Sequence, residues 1–315
     1  MAFLFKNRIQ KLALKIRRIR LGRQFQHQYT CHPSFNIQRG DHHHQIIWKG
    51  KHIADVGNIK TLKHTFKNHC FIIASGPSLN EIDFQRLAPF DCISLNCSIR
   101  KLTEQHIEPK HCVIVDRRAF ENDWDCIEAS ILSGANCYFS AVGISRICEQ
   151  KPELLKQNNI YLIEAIGRQF NLPRPTMDEF QQRYQNDPDI FLDPKVISRG
   201  TIGYSLNAEK GFFNSRTVAA WAVQLAPYLG YKHLNIIGMD LGGTGKSYFD
   251  SSNHTAIPYD FIDLYDPYIK VCFEQAQRAS KIGGFQIYNL SQHSTLPDEI
   301  VPKISFEQAL EQLNT

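Results

Sequence analysis

Short apolar runs alternate with longer segments of helical periodicity from about Thr65 to the end of the chain. Runs of about four to six apolar residues that are separated by helices are typical of buried strands in a parallel sheet. The predicted strands are residues 70–74, 92–95, 112–115, 136–140, 160–163, 234–238 and 285–290. The predicted helices include residues 218–229, closed by Gly230, and residues 268–282. The pattern predicts an α/β, Rossmann-like fold, with a mostly parallel sheet and helices on both faces.

Polar residues follow several of these predicted strands. They are Ser75, Asn96, Asp116, Glu164 and Asp240. In open α/β sheets, ligands bind outside the carboxyl ends of the strands, where such side chains would lie. This coincidence predicts a binding or catalytic site at that edge of the sheet.

A basic, amphipathic pattern occupies the start of the chain. Apolar residues at spacings of four, three, four and three share one face of a helix; they are Phe5, Ile9, Leu12, Ile16 and Ile19. The same segment has no acidic residue, and its cations are Lys6, Arg8, Lys11, Lys15, Arg17, Arg18, Arg20 and Arg23. Such a helix lies on anionic membrane surfaces, and we expect residues 1–25 to do so. A helix packed on the domain and a nucleic-acid arm are the alternatives, but membrane attachment is favoured and no nucleic-acid partner is expected.

The segment that follows, residues 24–51, has the composition of a loop or linker. It includes the run His42-His43-His44, whose side chains are adjacent in sequence and would not converge on one metal ion. The predicted division of the chain is therefore a basic arm and linker, residues 1–50, and a main domain, residues 51–315.

Composition adds little beyond this division. The chain has 315 residues, of which 43% are hydrophobic and 21% are charged, as is ordinary for a globular protein, and its net charge of +5 comes mainly from the arm. Nine cysteines are scattered singly without a CxxC pair, which favours reduced, buried thiols in a cytosolic protein. No apolar run is long enough to predict a transmembrane helix.

Two glycine-containing segments are candidates for ligand binding. Ser75-Gly76-Pro77-Ser78 follows a predicted strand, and its backbone N–H groups could hold a phosphate or ribose, although an ordinary strand-to-helix turn is equally consistent. The segment from Gly242 to Ser247 imitates a P-loop, but Asp240 stands where that motif requires glycine. We therefore predict a flexible loop that carries Lys246 and Tyr248 over the site, and no NTPase.

Three acidic positions could carry chemistry. Asp187-Pro188-Asp189 has the form of a metal-binding DxD element, but no strand precedes it and a turn is favoured. No zinc spacing is present either, so we predict neither a metal nor a cofactor. Asp240 is a candidate nucleophile, base or hydroxyl ligand, with a turn-forming role as the alternative. Glu164 is a candidate acid–base partner or a surface ion-pair residue.

A family resemblance rests on three segments in order. Residues 72–99 (IIASGPSLNEIDFQRLAPFDCISLNCSI), residues 215–250 and the stretch FEQAQRASKIGGFQIYNLS resemble bacterial sialyltransferases of lipooligosaccharide synthesis. The resemblance implies that Ser75 and Asn96 contact the donor nucleotide, that Asn214 and Ser215 hold the donor carboxylate, and that Tyr248 contacts its phosphate. One departure is that the family's histidine base has no counterpart in Leu264-Tyr265-Asp266-Pro267-Tyr268.

The retaining β-Kdo transferases (Kdo is 3-deoxy-D-manno-octulosonic acid) lack this difficulty. They resemble the sialyltransferases in fold and also use a CMP-activated acidic sugar, and residues 198–212 resemble them as well. The resemblance implies that Asp240 is the nucleophile, assisted by Glu164, and favours Kdo over sialic acid. The expected donor is CMP-Kdo, with Lys246, Tyr248 and Arg216 offsetting its phosphate charge, and the expected acceptor is a lipid-linked saccharide.

Other functions stay open at this point. An inverting sialyltransferase with Asp266 as a candidate base is the nearest alternative. A pterin diphosphokinase-like enzyme, which would share the GPSL turn, and a non-catalytic envelope-assembly protein are the alternatives of other classes. The expected location is the cytoplasmic face of the bacterial inner membrane, with peripheral attachment.

Overall fold

The computed structural model describes Ile19 and residues 21–193, 202–242 and 265–313. Strands in these ranges are β1 (Phe35–Gln38), β2 (His43–Trp48), β3 (Lys51–Asn58), β4 (His69–Ile73), β5 (Asp91–Leu95), β6 (His111–Ile114), β7 (Asn136–Phe139), β8 (Ile160–Leu162), β9 (Ile190–Leu192), β10 (Gly203–Ser205), β11 (His233–Ile237) and β12 (Gln286–Asn289). Helices in these ranges are α1 (Ser98–Glu104), α2 (Arg117–Asn122), α3 (Trp124–Leu132), α4 (Ala141–Gln150), α5 (Met177–Tyr184), α6 (Val218–Leu229), α7 (Val271–Gly283) and α8 (Phe306–Gln312). Short 3-10 helices and one π-helix, Tyr265–Lys270, lie between them.

Ten of these strands form one sheet in the order β1-β2-β3-β8-β7-β6-β5-β4-β11-β12. Neighbours from β3 to β12 run parallel, whereas β1, β2 and β3 form an antiparallel extension at one edge. The remaining two strands, β9 and β10, pair separately. The predicted mostly parallel, Rossmann-like α/β fold is confirmed.

Both faces of this sheet are covered by helices. On β4, Cys70 and Ile72 belong to the same buried cluster as α6 and α7. The intervening Phe71 and Ile73 pack in another cluster with α1 and α8. Because alternate side chains of a strand point to opposite faces, a strand buried on both sides must be apolar throughout. This explains why the parallel strands were recognisable in the sequence as continuous apolar runs.

The helix predicted at residues 218–229 is present with the same bounds as α6. Its last residue is followed by Gly230 in the left-handed conformation, with φ at 116°, which suits glycine because it has no Cβ. The helix predicted at residues 268–282 begins instead within the π-helix Tyr265–Lys270 and continues as α7. Each of the seven predicted strands is present, with bounds that differ by at most one residue at either end.

The stretch predicted as a linker, residues 24–51, forms part of the fold, which corrects that expectation. It contains β1 and β2, and the boundary drawn after residue 50 falls within the β2–β3 hairpin. Phe35, Ile37 and Ile46 alternate with exposed residues and pack into the core. His44 is not in a solvated loop: it is buried, and burial lowers its pKa to about 4. These strands were not predicted because only alternate residues of β1 and β2 are buried, and this short alternation gives a weaker sequence signal than a continuous apolar run.

The cysteines only partly match the expectation of reduced, buried thiols. Seven of the nine are free and buried. Cys97 and Cys126 instead form a disulfide between the residue that precedes α1 and helix α3, with their Cα atoms 5.4 Å apart. Single cysteines that are distant in sequence gave no indication of this pairing, because it depends on how the two helices pack.

Most of the basic arm, residues 1–18 and Arg20, lies outside the described residues. Its predicted helix and membrane attachment therefore stay predictions. The described segment that follows begins with the 3-10 helix Arg23–Gln28. Among the helices that the structure describes, none is long and apolar enough to cross a membrane.

Candidate active site

The carboxyl ends of eight parallel strands share one edge of the sheet. Strands β5 to β8 extend from β4 in one direction, whereas β11 and β12 extend from β4 in the other. The chain thus reverses its order between β4 and β11, and such a switch point is where open α/β sheets bind ligands. Ser75 and Asp240 lie in the turns that follow β4 and β11 at this point.

The turn after β4 is bonded to the turn after β11. The backbone N–H of Gly76 donates to the carbonyl oxygen of Gly238 at 2.8 Å. Oδ2 of Asp240 accepts hydrogen bonds from the backbone N–H of Ser78 at 3.1 Å and from its hydroxyl at 3.0 Å. A Cβ atom at Gly76 would lie 2.0 Å from that same Oδ2, so the close approach of the two turns requires glycine there.

Asp240 has one oxygen in use and one available. Asp240 is only 3% exposed, and its Oδ1 has no hydrogen-bond partner among the described residues. A buried polar atom without a partner costs free energy, and such atoms in native proteins are often ligand contacts. The turn-forming interpretation of Asp240 therefore accounts for Oδ2, and the functional interpretation concerns Oδ1.

Asn96 provides a second buried oxygen without a partner. It follows β5 in the left-handed region, with φ at 50°, and its Oδ1 finds no donor in the described ranges. Because β5, β4 and β11 are consecutive in the sheet, Asn96 and Asp240 are two strand spacings apart, about 10 Å. The partly exposed turn Ser75-Gly76-Pro77 lies between them. The structure thus brings together Ser75, Gly76, Pro77, Ser78, Asn96 and Asp240.

Ser291, which was not among the predicted site residues, supports this arrangement. Its hydroxyl lies 2.8 Å from the hydroxyl of Ser78 and accepts a hydrogen bond from the backbone N–H of Met239 at 2.9 Å. Ser291 follows the predicted strand 285–290, so the same strand-end criterion that selected Asp240 would have found it. It joins the end of β12 to the turns after β4 and β11.

Asp116, at the end of β6, has a local role in this structure. Its Oδ1 caps α2 by accepting a hydrogen bond from the backbone N–H of Arg118 at 2.9 Å. The Arg118 guanidinium also forms an ion pair with Oδ2 at 2.9 Å, and the Asp116 side chain is 41% exposed. These contacts do not direct it towards Asp240.

Glu164 and Asp240 are not brought together, contrary to the predicted acid–base pair. Between β8 and β11 lie β7, β6, β5 and β4, which makes five strand spacings, or about 24 Å along the sheet. Both oxygens of Glu164 have partners: the Arg39 guanidinium donates to Oε2 at 2.7 Å, and the backbone N–H of Phe170 donates to Oε1 at 2.6 Å. Burial raises the pKa of Glu164, and the charge of Arg39 opposes that shift. The pairing failed because the order of strands in the sheet is not their order in the sequence.

The turn Asn214-Ser215-Arg216 lies between these two ends of the site. It follows the bridge that pairs Phe212 with Ala165 and leads into the N-terminus of α6, whose dipole favours anions. Asn214 and Arg216 are exposed, and Arg216 has a left-handed backbone, with φ at 65°. Ser215 is fully buried. Of this turn, therefore, only Asn214 and Arg216 present side chains to solvent.

Asp266 is exposed in the first turn of the π-helix Tyr265–Lys270. This helix is bonded to the end of β11 through Thr295: the Tyr265 hydroxyl donates to the Thr295 carbonyl at 2.9 Å, and the Thr295 hydroxyl donates to the Leu241 carbonyl at 2.9 Å. Asp266 is thus an exposed carboxylate on an element tied to the Asp240 turn. Lys246 and Tyr248, predicted to cover the site, lie outside the described residues.

The DxD-like residues are engaged by a lysine. The Lys210 ammonium donates to Asp187 Oδ1 at 2.6 Å and to Asp189 Oδ2 at 2.7 Å. The Asn207 amide also donates to Asp189 at 3.1 Å. These carboxylates therefore form an ion-pair network next to β9, and the predicted turn is consistent with this placement.

Comparisons with known proteins show which family this chain resembles. A family model described as 3-deoxy-D-manno-octulosonic acid transferase WaaZ matches residues 52–307. A probable 3-deoxy-manno-octulosonic acid transferase of Escherichia coli is 21% identical over 80% of this chain and 87% of its own length. The corresponding protein of Salmonella typhimurium is 21% identical over 75% of this chain and 86% of its own length.

Two solved structures are also similar. A glycosyltransferase described as MAf, from Magnetospirillum magneticum, is 15% identical with a TM-score of 0.46; the match covers 92% of this chain but spans only 40% of the other. The sialyltransferase CstII from Campylobacter jejuni, solved with the substrate analogue cytidine-5'-monophosphate, is 14% identical with a TM-score of 0.40, over 74% of this chain and 84% of the other.

Proposed function

The chain belongs to the WaaZ family of 3-deoxy-D-manno-octulosonic acid transferases, and from this premise we propose that it transfers Kdo from CMP-Kdo onto a lipopolysaccharide or lipooligosaccharide acceptor. Membership makes the protein a glycosyltransferase of lipopolysaccharide synthesis, as the sequence resemblance predicted. The pterin diphosphokinase-like and non-catalytic alternatives are not retained. The donor, the acceptor and the stereochemistry form the proposal.

The observation that carries the proposal is the pair of buried oxygens at the switch point. Asp240 Oδ1 and Asn96 Oδ1 have no donor in the described structure, and they flank the turn Ser75–Ser78. Hydroxyl and amino groups of a cytidine nucleotide or a sugar are donors that would satisfy such acceptors. We place the cytidine monophosphate across Ser75–Ser78 and Asn96, and the anomeric carbon of Kdo beside Asp240.

The anionic groups of the donor are assigned to the neighbouring turn. Asn214, with the backbone of Ser215, holds the sugar carboxylate near the N-terminus of α6, where the helix dipole favours anions. Arg216, Lys246 and Tyr248 offset the phosphate charge. The buried Ser215 hydroxyl has no part in this assignment, because it faces the protein interior.

The proposed reaction proceeds with retention in two displacements. Oδ1 of Asp240 attacks the anomeric carbon, the bond from that carbon to the phosphate oxygen breaks, and CMP leaves with the electron pair. An acceptor hydroxyl then attacks the same carbon, loses its proton, and releases the Asp240 carboxylate. The two hydrogen bonds from Ser78 to Oδ2 hold the carboxylate in one orientation during both steps.

A second mechanism is favoured by two observations. Asp240 is almost fully buried and is already bonded to Ser78, whereas Asp266 is exposed on an element tied to the same strand end. In an inverting enzyme, Asp266 would act as the general base for the acceptor hydroxyl, and Asp240 would only maintain the turn. An inverting transfer, with Kdo or sialic acid as the sugar, is therefore the alternative.

The experiment that tests the proposed donor is incubation with CMP-Kdo and CMP-sialic acid separately. CMP release is measured with and without deacylated inner-core saccharide as the acceptor. Release from CMP-Kdo alone, increased by the acceptor, is the expected result. Release from CMP-sialic acid but not from CMP-Kdo would replace the donor assignment with the sialyltransferase alternative.

The proposal includes peripheral attachment of residues 1–25 to the cytoplasmic face of the inner membrane. Each cation near an anionic leaflet contributes about 1 kcal/mol, so a basic amphipathic helix would hold the enzyme reversibly beside a lipid-linked acceptor. Deleting residues 1–21 leaves the 3-10 helix Arg23–Gln28 in place and should abolish sedimentation with anionic vesicles. A full-length protein that does not bind these vesicles at low salt would contradict the attachment.

A further inference from the structure

Three arginines lie on neighbouring segments at the β8 side of the sheet edge, because Ala165 pairs with Phe212 in a bridge and a Cβ atom at Gly167 would lie 3.3 Å from Pro175; we refer to Arg168, Arg174 and Arg216 as the arginine cluster. Arg168 lies in a turn after β8, where its backbone N–H donates to the Ala165 carbonyl at 2.9 Å. The Arg216 guanidinium lies over the ring of Tyr268, 5.3 Å from its centroid. Burial lowers the pKa of Arg168, and the nearby charges of Arg174 and Arg216 lower it further.

The arginine cluster has no carboxylate partner in the described ranges. The salt bridges found there join other cations to acids, and Glu164, the acid closest to Arg168 along the chain, is bound by Arg39 at 2.7 Å. His27, near Arg168 and Arg174, adds no negative charge, and burial lowers its pKa. Like charges held together without counter-ions repel each other, and a bound anion would relieve that repulsion.

The loop that carries Arg168 and Arg174 is fixed by hydrogen bonds to the start of the fold. The backbone N–H of Arg174 donates to the Gln24 carbonyl at 2.8 Å, and that of Asn171 donates to the Gln28 side chain at 2.9 Å. The arginines are therefore on a positioned backbone, which lowers the entropic cost of binding a ligand. The same bonds place the entry of the N-terminal segment beside the arginine cluster.

The proposed donor accounts for only part of this positive charge. CMP-Kdo has two anionic groups: the carboxylate is assigned to Asn214 and the Ser215 backbone, and the phosphate is assigned to Arg216, Lys246 and Tyr248. Arg168 and Arg174 remain, and Arg216 connects them to the donor site. We propose that Arg168 and Arg174 bind a carboxylate or phosphate group of the saccharide acceptor, an assignment that rests on the proposed transferase function.

A discrete anion fits these residues better than a membrane surface does. Arg168 is half-buried, whereas Arg174 is exposed, so a flat bilayer would reach the Arg168 guanidinium less readily than a small anion would. A carboxylate or phosphate on a saccharide could enter and accept paired hydrogen bonds from the planar guanidinium. The acceptor would then be oriented with its hydroxyl towards the sugar on the donor.

The test compares Arg168→Gln and Arg174→Gln with Arg86→Gln as the matched control. Arg86 has a carboxylate partner, Glu307, in α8, so its replacement removes the same charge from a site with no expected ligand. With deacylated, water-soluble inner-core saccharide, we expect the acceptor KM of the two cluster variants to rise about 10- to 100-fold, because each loses a charge-assisted hydrogen bond. The donor KM, and CMP release without acceptor, should stay within about twofold of the wild type.

Chemically altered acceptors identify the group that is bound. If the bound group is a carboxylate, methyl esterification of the saccharide should raise the acceptor KM of the wild type as the substitutions do. If it is a phosphate, removal of the phosphates should have this effect. An unchanged acceptor KM, a raised donor KM, or a defect confined to acceptor embedded in vesicles would each overturn the proposal. Calorimetry measures binding of the soluble saccharide without any donor and therefore does not depend on the transfer reaction. Equal binding by the wild type and the variants would contradict the acceptor site. Failure of the wild type to use CMP-Kdo in the CMP-release assay would instead contradict the proposed function.

Discussion

Asp240 and Ser78, which are 162 residues apart in sequence, are joined by two hydrogen bonds that both end on Oδ2 of Asp240. This relationship fixes the carboxylate at the switch point of the sheet and leaves Oδ1 without a partner in the described structure. The same carboxylate therefore maintains the turn after β4 through Oδ2, and our proposal assigns Oδ1 to the ligand. Any substitution that separates the two turns should impair both roles.

Gly76→Ala should disrupt this relationship most simply. A Cβ atom there would lie 2.0 Å from Asp240 Oδ2 and 2.5 Å from the Gly238 carbonyl oxygen, so the turns must move apart. We expect a loss of about 1–3 kcal/mol in the free energy of unfolding, typical of overpacking, and at least a tenfold loss of transferase activity. Denaturant titration and the CMP-release assay measure the two effects.

The control for this prediction is Gly50→Ala in the β2–β3 turn. Gly50 has a φ of 77° and open space around its Cβ position, so alanine there adds only backbone strain, about 1 kcal/mol. Its activity should stay near that of the wild type. Equal activity of the Gly76 and Gly50 variants would mean that the contact with Asp240 has no functional importance.

Glu164→Gln should leave activity within a few-fold of the wild type, because about 24 Å of sheet, five spacings in the strand order, separates Glu164 from Asp240. The variant should also change how stability depends on pH. Since burial raises the pKa of Glu164 in the folded protein, the native state binds this proton more tightly than the unfolded chain. The contribution of Glu164 to the free energy of unfolding therefore falls as pH rises from about 4.3, the ordinary value, through the raised pKa.

Glutamine cannot ionise, so the free energy of unfolding of the Glu164→Gln variant should not include this pH-dependent decrease. Denaturant titrations of both proteins between about pH 4 and pH 7 should show the variant gaining relative to the wild type as pH rises. A loss of several orders of magnitude in activity without loss of stability would instead make Glu164 a catalytic residue and would require a rearrangement of the β8 end.

Transfer should continue in excess EDTA. Lys210 occupies the DxD-like carboxylates of Asp187 and Asp189, and a nucleotide phosphate leaves readily without a metal ion. Asp187→Asn should accordingly reduce stability, by up to about 1 kcal/mol for a partly exposed ion pair, rather than abolish activity. Complete loss in EDTA that magnesium or manganese restores would show that a metal takes part.

The sequence was sufficient for the parallel sheet but not for its edges. Strands buried on both faces are apolar throughout, so β4, β5 and β11 were recognised, and the polar residues after them lie at one edge of the sheet as predicted. β1 and β2 were missed because each buries only alternate residues in a short segment. The β-strand order could not be obtained in the same way, because the position of β11 beside β4 depends on packing between distant parts of the chain.

This limitation explains the outcome for the candidate site. Ser75, Ser78, Asn96 and Asp240 converge because their strands are neighbours in the sheet, whereas Glu164 was assigned to Asp240 without knowledge of the intervening strands. Ser291 could have been found from its place after a predicted strand. The arginine cluster could not, because it unites a loop after β8 with the turn before α6, and neither segment has a recognisable pattern.

The central claim is that Asp240 forms a covalent bond with the sugar, and Asp240→Asn tests it most directly. The amide keeps the shape of the carboxylate, and its oxygen can still accept the two hydrogen bonds from Ser78, so the variant should fold and bind CMP. It should lose several orders of magnitude in rate if covalent catalysis is removed. Intact-protein mass spectrometry with CMP-Kdo and no acceptor should show one added sugar on the wild type and none on the variant. An unmodified wild type that transfers with inversion, or a variant with near-normal turnover, would contradict the claim. Either result would favour Asp266 as the base of an inverting enzyme.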